Sequence, residues 1–477
     1  MNESKSSLIH VSRAPLMDML QAERIHEQAK RVLQETGIEV RQPELQSRLK
    51  AAGLRLVGDR VYFEPVIVDE YVDDMRRRIA SEPEAPQAPD DGRLWLRVSS
   101  YPLNIHDIDS DTVVPATTKN LIEMTKLIDS LADDGVEGAP PGIPTEVNPD
   151  LQPLAQYRIA ALTARQGATP VDPTSAKTVG YLLDMAEVMG RPIHDLPVYM
   201  PTPLRLAGES LDVVLACVAQ NRLSSVSVGS MPCTGTSAPI QPFGGLVLSA
   251  AELMGGMIAM RILTGLPVTF YASILPADLR HGAMVFGSPE NMLFQMLDQD
   301  FNRFYGWHSG QGPSNIHDMA KLPDGQSAAE KASIMTLGAF LGARQFDCAG
   351  TLSLDEIFSP EQLLLDCEIR NWVQRAIQGV QMGEEDVPDW LVEIQQGIQR
   401  GFMGLDSTLD HYKTQTWYPQ RFTRSAIGDW NTRGRPNLSQ TLRDEVRRRI
   451  ASHHFELDAE RTRAIDDIYA AAVKAVS

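Results

Sequence analysis

Apolar residues recur at about every third or fourth position between Leu16 and Leu33, a spacing that places them on one face of an α-helix. Gly37 follows and favours an end to that helix. A second helix is predicted over residues 43–52 and a short hairpin over residues 54–63. The beginning of the chain is therefore predicted to be mainly helical.

The segment 81–92 reads SEPEAPQAPDDG, and its prolines and acidic residues favour a linker. Beyond it the pattern changes, because short apolar runs alternate with amphipathic stretches of helical length. Such alternation is typical of βαβ units and a parallel sheet. We therefore predict a helical segment over residues 1–90 and a new domain from residue 91.

Eight apolar runs are strand candidates, and a helix is predicted after each of them. A doubly wound open sheet has the same alternation, but the count of eight favours closure into an α/β fold of the (β/α)8 TIM barrel type over residues 91–380. The predicted strands are Leu94–Ser99, Gly135–Ala139, Thr169–Asp172, Val198–Pro201, Ser225–Gly229, Val268–Ala272, Gly306–Ser309 and Asp347–Leu352.

The remainder of the chain, residues 381–477, is predicted to be a second helical segment. Its helices are expected at Trp390–Met403, Ser439–His453 and Ala459–Ala475. Between the first two lies an irregular aromatic stretch that begins TWYPQRF, and we expect it to cover one end of the barrel.

Function in a (β/α)8 barrel is located at the carboxyl ends of the strands. Aromatic faces grouped at several strand ends can surround a quaternary ammonium ion, which has no N–H to donate and is recognised by cation–π contact. Each aromatic residue alone is more typical of core packing, so the hypothesis depends on their common placement. The candidate substrate-binding residues are Tyr101, Tyr199, Tyr271, Trp307 and His308.

Two loops carry further polar residues. The loop 229–239 contains Cys233, but the sequence offers neither a base nor a cause for a lowered thiol pKa, so an ordinary loop cysteine is favoured. The loop after the seventh predicted strand suits a polar ligand, a docking partner or simply a solvated helix start. Its charged and imidazole residues are His308, His317, Asp318, Lys321, Asp324 and Glu330.

No catalytic residue is assigned, and no metal is expected, because the histidine spacings of known zinc motifs are absent. The net charge of −18 argues against a nucleic-acid partner. Four cysteines without C-x-x-C spacing do not require a disulfide framework. The stretch 243–266 is apolar but contains Glu252 and Arg261, so no membrane span is expected. With no apolar core in its first residues, the protein is expected to be cytoplasmic.

Several segments together resemble the trimethylamine methyltransferase family, including its members that lack pyrrolysine and act on quaternary amines. Each match is weak alone, but their order and spacing are fairly specific and extend over nearly the whole chain. The matching segments are QETGIEV near the amino end, GSPE at Gly287–Glu290, D-x-x-K-x-x-D-x-Q at Asp318–Gln326, FDCAGTLSLDEIFSPEQLLLD at Phe346–Asp366, and WYP at Trp417–Pro419 with Trp430 and Gly434 after it.

The resemblance implies a (β/α)8 barrel with extra helical segments. It also implies transfer of a methyl group from an amine to the cobalt of a corrinoid, a cofactor carried by a small partner protein, in methanogenesis-related one-carbon metabolism. One subgroup carries pyrrolysine, whereas this chain has only the twenty standard residues. A quaternary amine resembling glycine betaine is therefore the expected substrate. Its nitrogen leaves as a neutral tertiary amine without a general acid, so catalysis would be mostly positioning.

Two alternatives remain open at this point. A lyase or aldolase on the same fold would need a Schiff-base lysine at a strand end, and none of the eight predicted strands contains a lysine. A non-catalytic betaine-binding protein could use the same aromatic residues. The sequence does not define the amine, the corrinoid protein or whether the chain forms a homo-oligomer.

Overall fold

The computed structural model describes residues 8–81, 90–168, 171–308, 312–380 and 390–476. Within these residues, helices alternate with short strands along most of the chain. The α-helices are α1 (Met19–Glu35), α2 (Pro43–Ala51), α3 (Pro65–Ser81), α4 (Thr118–Ser130), α5 (Gln152–Thr163), α6 (Val179–Val188), α7 (Glu209–Ala219), α8 (Pro242–Thr264), α9 (Pro289–Asn302), α10 (Gly325–Phe340), α11 (Pro360–Ile377), α12 (Leu391–Arg400), α13 (Asp406–Gln415), α14 (Ile427–Thr432), α15 (Leu438–Ala451) and α16 (Ala459–Val476).

Short 3₁₀ helices occur at Ala132–Asp134, Pro149–Leu151, Arg303–Tyr305 and Phe402–Gly404. The strands are β1 (Ile38–Glu39), β2 (Arg55–Val57), β3 (Arg60–Tyr62), β4 (Trp95–Val98), β5 (Asn104–Asp107), β6 (Thr112–Pro115), β7 (Val136–Glu137), β8 (Asp195–Tyr199), β9 (Ser225–Gly229), β10 (Val268–Phe270), β11 (Ala277–Asp278), β12 (Ala283–Met284), β13 (Gln345–Ala349), β14 (Thr351–Leu352) and β15 (Ile357–Phe358).

The amino-terminal helices accompany a small antiparallel sheet in the order β1-β3-β2, whose β2–β3 hairpin matches the sequence prediction. A reciprocal cap starts α1. The Asp18 side chain accepts a hydrogen bond from the backbone N–H of Gln21, and the Gln21 side chain accepts one from the backbone N–H of Asp18. This cap satisfies backbone donors that the first turn of a helix leaves free.

Six strands form two parallel sheets of three, β13-β4-β7 and β10-β9-β8. These six correspond to six of the eight strands predicted from the sequence, and the mixed α/β character agrees with the prediction. No strand pairing joins the two sheets within the part of the chain that the structure describes. A closed eight-stranded barrel is therefore not shown, and closure stays a prediction, as do the domain limits near residues 90 and 380.

The two remaining strand predictions differ from the structure. Residues 171 and 172 and residues 306–308 form no strand, while 169, 170 and 309 lie outside the described residues. Gly306 has φ +93° and ends the 3₁₀ helix before it, so the chain turns where an extended run was predicted. A parallel bridge beside β13 comes later instead, between Asn315 and Asp347. The prediction of a strand over residues 306–308 was therefore wrong.

The 23-residue helix α8 runs through the larger hydrophobic core. A methyl group on Gly255 would lie 2.8 Å from Leu33 of α1, and one on Gly256 would lie 2.9 Å from Val228 of β9. The two glycines thus allow α1 and β9 to pack closely against α8. Although α8 is long and apolar enough to cross a membrane, 78% of its apolar window is buried inside the protein, which is typical of a core helix.

The irregular aromatic stretch is fixed to α11. Glu368 accepts hydrogen bonds from the backbone N–H groups of Gln420 at 3.0 Å and Arg421 at 3.1 Å. The Arg421 guanidinium also pairs with Glu368 and with Glu445 of α15. Gln420 and Arg421 share a small cavity with Leu94, which directly precedes β4. This part of the stretch therefore lies at the amino end of a parallel sheet.

A buried polar network joins α10 and α11. Lys331 lies 3.1 Å from Asp366, and both side chains have no exposed surface. Asp366 also accepts hydrogen bonds from the backbone N–H of Gly350 and from the Gln362 amide, both at 2.7 Å. The Gln362 oxygen in turn accepts one from the Ser327 hydroxyl at 2.6 Å. A buried ion pair that is fully hydrogen-bonded in this way fixes the relative position of the two helices.

Asp318 lies close to this network but is not paired within it. Neither of its carboxylate oxygens has a hydrogen-bond partner among the described residues, and the neighbouring Ser327 hydroxyl donates to Gln362 instead. Burial raises the pKa of Asp318 to about 7, although the charge of Lys331 opposes the shift. The folded protein therefore binds a proton on Asp318 more strongly than the unfolded chain does.

We expect Lys331→Met to lower the free energy of unfolding by about 3–5 kcal/mol, because it leaves the buried Asp366 carboxylate without its counter-ion. Denaturant unfolding of the variant and the native protein measures this. The matched control is Lys321→Met, since Lys321 is exposed and donates to the Ser353 hydroxyl. Equal losses in the two variants would contradict the assignment of the network as a stabilising element.

We expect Asp318→Asn to flatten the pH dependence of stability. A raised carboxyl pKa means that stability is highest below the unfolded pKa of about 4 and falls as the pH rises towards about 7. The variant should therefore gain stability over the native protein at about pH 8 and lose that advantage near pH 4. Denaturant unfolding at the two pH values measures the difference. An unchanged pH dependence would show that Asp318 does not carry the shifted proton.

Candidate functional site

A cavity of about 980 Å³ opens among the carboxyl ends of β4, β8, β10 and β13. Tyr199 is the last residue of β8, Tyr271 follows β10, and Tyr101 follows β4 by three positions. All three tyrosines line this cavity, and each is roughly half exposed. The two parallel sheets therefore direct three of the five predicted binding residues to one place.

Asp172 joins two of these tyrosines. Its Oδ2 atom accepts a hydrogen bond from the Tyr101 hydroxyl at 2.6 Å and another from the Tyr199 hydroxyl at 3.0 Å. Burial, followed by the charge of Asp172, raises the pKa of Tyr101 and raises that of Tyr199 to about 12. Both phenols are therefore neutral donors at physiological pH. A carboxylate and two aromatic rings are held together at the cavity wall, ready to attract a cation.

The position of the Tyr199 ring depends on a glycine in the neighbouring strand. Tyr199 is paired with Gly229 of β9, and a methyl group on Gly229 would lie 3.3 Å from Cδ1 of the Tyr199 ring. A larger residue at position 229 would therefore push against the ring. The end of β9 in this way helps to position the cavity wall, although it contributes no side chain to it.

Trp307 and His308 do not line the cavity. Trp307 is partly buried against the larger core and donates its indole N–H to the carbonyl oxygen of Phe270 at 2.9 Å. Its ring meets that of Tyr271 edge-on, with the ring centroids 6.4 Å apart. His308 is exposed. Trp307 thus packs against Tyr271, and His308 is not among the residues that line the cavity.

Helix α9 contributes a polar wall that the sequence analysis did not identify. Asn291, Gln295, Asp298 and Gln299 all line the cavity. Asp298 is only 5% exposed, and its Oδ2 atom accepts a long hydrogen bond from the backbone N–H of Ile274 at 3.4 Å. Burial raises the pKa of Asp298 well above its usual range. Burial therefore favours the protonated form of this carboxyl group.

Phe286 and His317 form a further part of the wall that is largely uncharged. The ring of Phe286 stacks on that of His317, with centroids 4.4 Å apart, and both residues line the cavity. Nδ1 of His317 is hydrogen-bonded to the side-chain oxygen of Asn315. Burial, together with the charge of Lys331, lowers the pKa of His317 to about 3. The imidazole is therefore neutral, and it does not supply a positive charge to a ligand.

Three of the charged residues after the seventh predicted strand, Lys321, Asp324 and Glu330, have internal partners. Asp324 accepts hydrogen bonds from two backbone N–H groups at the start of α10. Lys321 donates to the Ser353 hydroxyl, and Glu330 accepts from the backbone N–H of Met319. A methyl group on Gly287 would collide with Glu330 and come within 2.9 Å of the Asp318 backbone. The GSPE and D-x-x-K-x-x-D-x-Q segments thus pack against each other.

The thiols near the cavity are not activated. Cys233 is buried and donates to the carbonyl oxygen of Pro276 at 3.3 Å, and burial raises the pKa of its thiol. Cys348 lines the cavity, and burial raises the pKa of its thiol as well. A nucleophilic cysteine needs a lowered pKa. The prediction that Cys233 is an ordinary loop cysteine agrees with this environment, and Cys348 is not prepared to accept a methyl group.

Among the described residues, one group of side chains that could hold a metal ion is found, at His26, Glu27 and Asp69, and none of the three lines the cavity. The ammonium group of Lys30 lies 2.6 Å from Glu27 and 2.9 Å from Asp69. It already provides the positive charge that these carboxylates require. Burial, together with the charge of Lys30, lowers the pKa of His26. We therefore assign this group a structural role.

Comparison with known proteins adds to this geometry. A trimethylamine methyltransferase of Methanosarcina barkeri is 30% identical over 282 residues, which are 58% of this chain and 55% of that protein. The match thus spans about half the length of the relative. The glycine betaine methyltransferase of Desulfitobacterium hafniense strain Y51 is 24% identical over 426 residues, covering 86% of this chain and 87% of that protein.

A solved structure, the monomethylamine methyltransferase MtmB of Methanosarcina barkeri, covers 95% of this chain and 90% of its own with a TM-score of 0.47 and 11% sequence identity. A score at that level does not establish a common fold. The family description "Trimethylamine methyltransferase (MTTB)" matches residues 2–475, which confirms the resemblance drawn from the sequence segments. The chain therefore belongs to the trimethylamine methyltransferase family.

Proposed function

We propose that this protein is a methyltransferase that moves a methyl group from a quaternary amine to the cobalt of a corrinoid carried by a separate protein. Family membership over residues 2–475 supports amine-dependent methyl transfer. The match to a glycine betaine methyltransferase over 86% of the chain supports a quaternary amine, with a glycine betaine-like compound as the reference substrate. The observation that carries the proposal is the cavity lined by three tyrosines and Asp172.

The cavity suits a cation that has no N–H group. A quaternary ammonium ion is attracted by the faces of aromatic rings and by a nearby carboxylate. Asp172 provides the carboxylate, and its hydrogen bonds with Tyr101 and Tyr199 hold the two rings beside it. Met231, Met284 and Phe286 supply apolar surface for the methyl groups. The three tyrosines are therefore proposed to form the cation site, and Trp307 is proposed to support it through Tyr271.

The methyl transfer requires little from the protein beyond positioning the amine and the methyl acceptor. The C–N bond breaks, its electron pair stays on nitrogen, and a neutral tertiary amine leaves. Reduced cobalt, Co(I), supplies the electron pair of the new cobalt–carbon bond. No proton is transferred, so the absence of a general acid from our assignment is compatible with the reaction. Holding nitrogen, methyl carbon and cobalt in line is the main contribution of the site.

The acceptor has to reach the cavity from outside. The thiols of Cys233 and Cys348 are not activated for methyl transfer. We propose that the corrinoid protein docks where the half-exposed tyrosines mark the cavity mouth. We also propose that the two parallel sheets are arcs of one (β/α)8 barrel, because the carboxyl ends of both contribute residues to the same cavity. The acidic chain is proposed to work in the cytoplasm without nucleic acid.

The reaction is tested by mixing the protein with Co(I) cobalamin or a cognate corrinoid protein and a panel of amines. We expect the visible spectrum to change to that of methylated cobalt with a quaternary amine and not with trimethylamine, because trimethylamine is a poor methyl donor unless it is protonated or quaternised. Turnover of trimethylamine alone would contradict the proposed substrate class. Binding of quaternary amines without any spectral change would favour a non-catalytic sensor instead.

The cation site is tested by replacing its rings. We expect Tyr199→Leu to weaken binding of a quaternary amine about thirtyfold, corresponding to about 2 kcal/mol for a lost cation–π partner. Tyr199→Phe keeps the ring and should retain most of the affinity. The matched control is Tyr418→Leu, which removes an exposed tyrosine outside the cavity. Titration calorimetry measures all three, and similar affinities for the Leu and Phe variants at position 199 would contradict a role for the ring.

A further inference from the structure

The polar wall of the cavity contains two buried oxygen atoms without partners. Asp298 Oδ1 and Gln299 Oε1 accept no hydrogen bond from any of the described residues, and both side chains line the cavity. Leaving a buried polar atom unpaired is unfavourable. Two such atoms lie on adjacent residues of α9 whose side chains both line one cavity, so a ligand that fills this cavity is a candidate for the missing bonds.

The neighbouring side chain of Gln295 already has hydrogen-bond partners for both its amide N–H groups and its oxygen. The Gln295 amide donates to the Asn291 side chain and to the carbonyl oxygen of Asn315, and its oxygen accepts from the backbone N–H groups of Ser314 and Asn315. Gln299 donates to the carbonyl oxygen of Gly312 at 2.7 Å, which fixes its amide with the oxygen left over. The unmet hydrogen-bonding capacity is therefore concentrated at Asp298 and Gln299.

The cavity also has no available cation for a ligand carboxylate. Among the described residues that line it, Arg344 is the one lysine or arginine. Its guanidinium binds Asp90 through Nε at 2.8 Å and through a terminal nitrogen at 2.7 Å, while the other terminal nitrogen donates to two backbone carbonyls at 2.9 Å. His317 is neutral. The other ionisable groups of the lining include the acids Asp172 and Asp355.

We propose that the preferred ligand is a quaternary ammonium alcohol of the choline type, whose hydroxyl group binds Asp298 and Gln299 while its cationic end meets the tyrosines and Asp172. This inference rests on the proposed function, because it assumes that the tyrosine site binds the ammonium group. It goes further in naming the chemistry of the far end of the substrate and the two residues that select it.

The hydrogen-bonding pattern distinguishes an alcohol from a carboxylate. Burial favours the protonated form of Asp298, and in that form its carboxyl group donates one hydrogen bond, whereas the Gln299 oxygen only accepts. A hydroxyl group accepts from the first and donates to the second, so both are satisfied. A carboxylate only accepts, and it would leave the Gln299 oxygen unpaired while adding negative charge beside Asp172 and Asp355.

The test is titration calorimetry on the full chain without corrinoid, using choline, tetramethylammonium and glycine betaine as probes. We expect choline to bind about tenfold more tightly than tetramethylammonium, which lacks the hydroxyl, and glycine betaine to bind more weakly than choline. Gln299→Leu should reduce the preference for choline over tetramethylammonium to about onefold. Circular dichroism and thermal unfolding of the variant show whether it is folded. Asp298→Asn, which can still donate and accept, should keep most of the choline preference.

The outcomes separate this inference from the proposed function. If tetramethylammonium binds but glycine betaine binds as tightly as choline or more tightly, the inference about the far end is overturned and the cation site stands. Choline and tetramethylammonium binding equally well in the native protein would overturn it too. If none of the three cations binds, the proposed function fails together with the inference. Because the native protein alone gives the affinity order, the test does not depend on either variant folding.

Discussion

The close packing of α8 is the constraint on which the binding site depends. Gly255 leaves space for Leu33 of the amino-terminal helix, and Gly256 leaves space for Val228 of the β10-β9-β8 sheet. The same sheet ends in Tyr199 and is followed by Tyr271. A side chain at either glycine would push the helix away from one partner, and the displacement would be transmitted to the strand ends that hold the rings.

Buried carboxyl groups divide into two kinds in this protein. Asp366 and Glu368 are paired with Lys331 and Arg421 and accept several hydrogen bonds, so they join helices and loops. Asp298 has one long hydrogen bond and a raised pKa, and it faces the cavity. Strongly perturbed carboxyl groups that stay unpaired are more typical of binding sites than of scaffolds. For these three carboxyl groups the partners, rather than the burial, distinguish the framework from the cavity wall, whereas the unpaired Asp318 does not line the cavity.

Much of the fold and part of the site could be predicted from the sequence. Strand β9 matched its predicted limits, because an apolar run between turn signals is a local pattern. Tyr101, Tyr199 and Tyr271 were found through their positions at strand ends, which parallel sheets bring together. Gly306–Ser309 failed because a glycine that ends a helix resembles a strand start when only local apolarity is considered. That error placed Trp307 and His308 at a strand end that does not exist in the described residues.

The residues that the sequence analysis missed depend on contacts between distant parts of the chain. Asp172 stood at the end of a predicted strand, which was a usable signal, but its hydrogen bonds with Tyr101 and Tyr199 join residues 71 and 27 positions away. Asp298 and Gln299 lie on a helix, and nothing in its periodicity shows which polar residue lines a cavity.

The edge-on contact of Tyr271 with Trp307, with 6.4 Å between the ring centroids, has an optical consequence. Excitation of Tyr271 can pass to the indole of Trp307 at such a distance, so the emission of this indole, one of six in the chain, should respond to events at the cavity mouth.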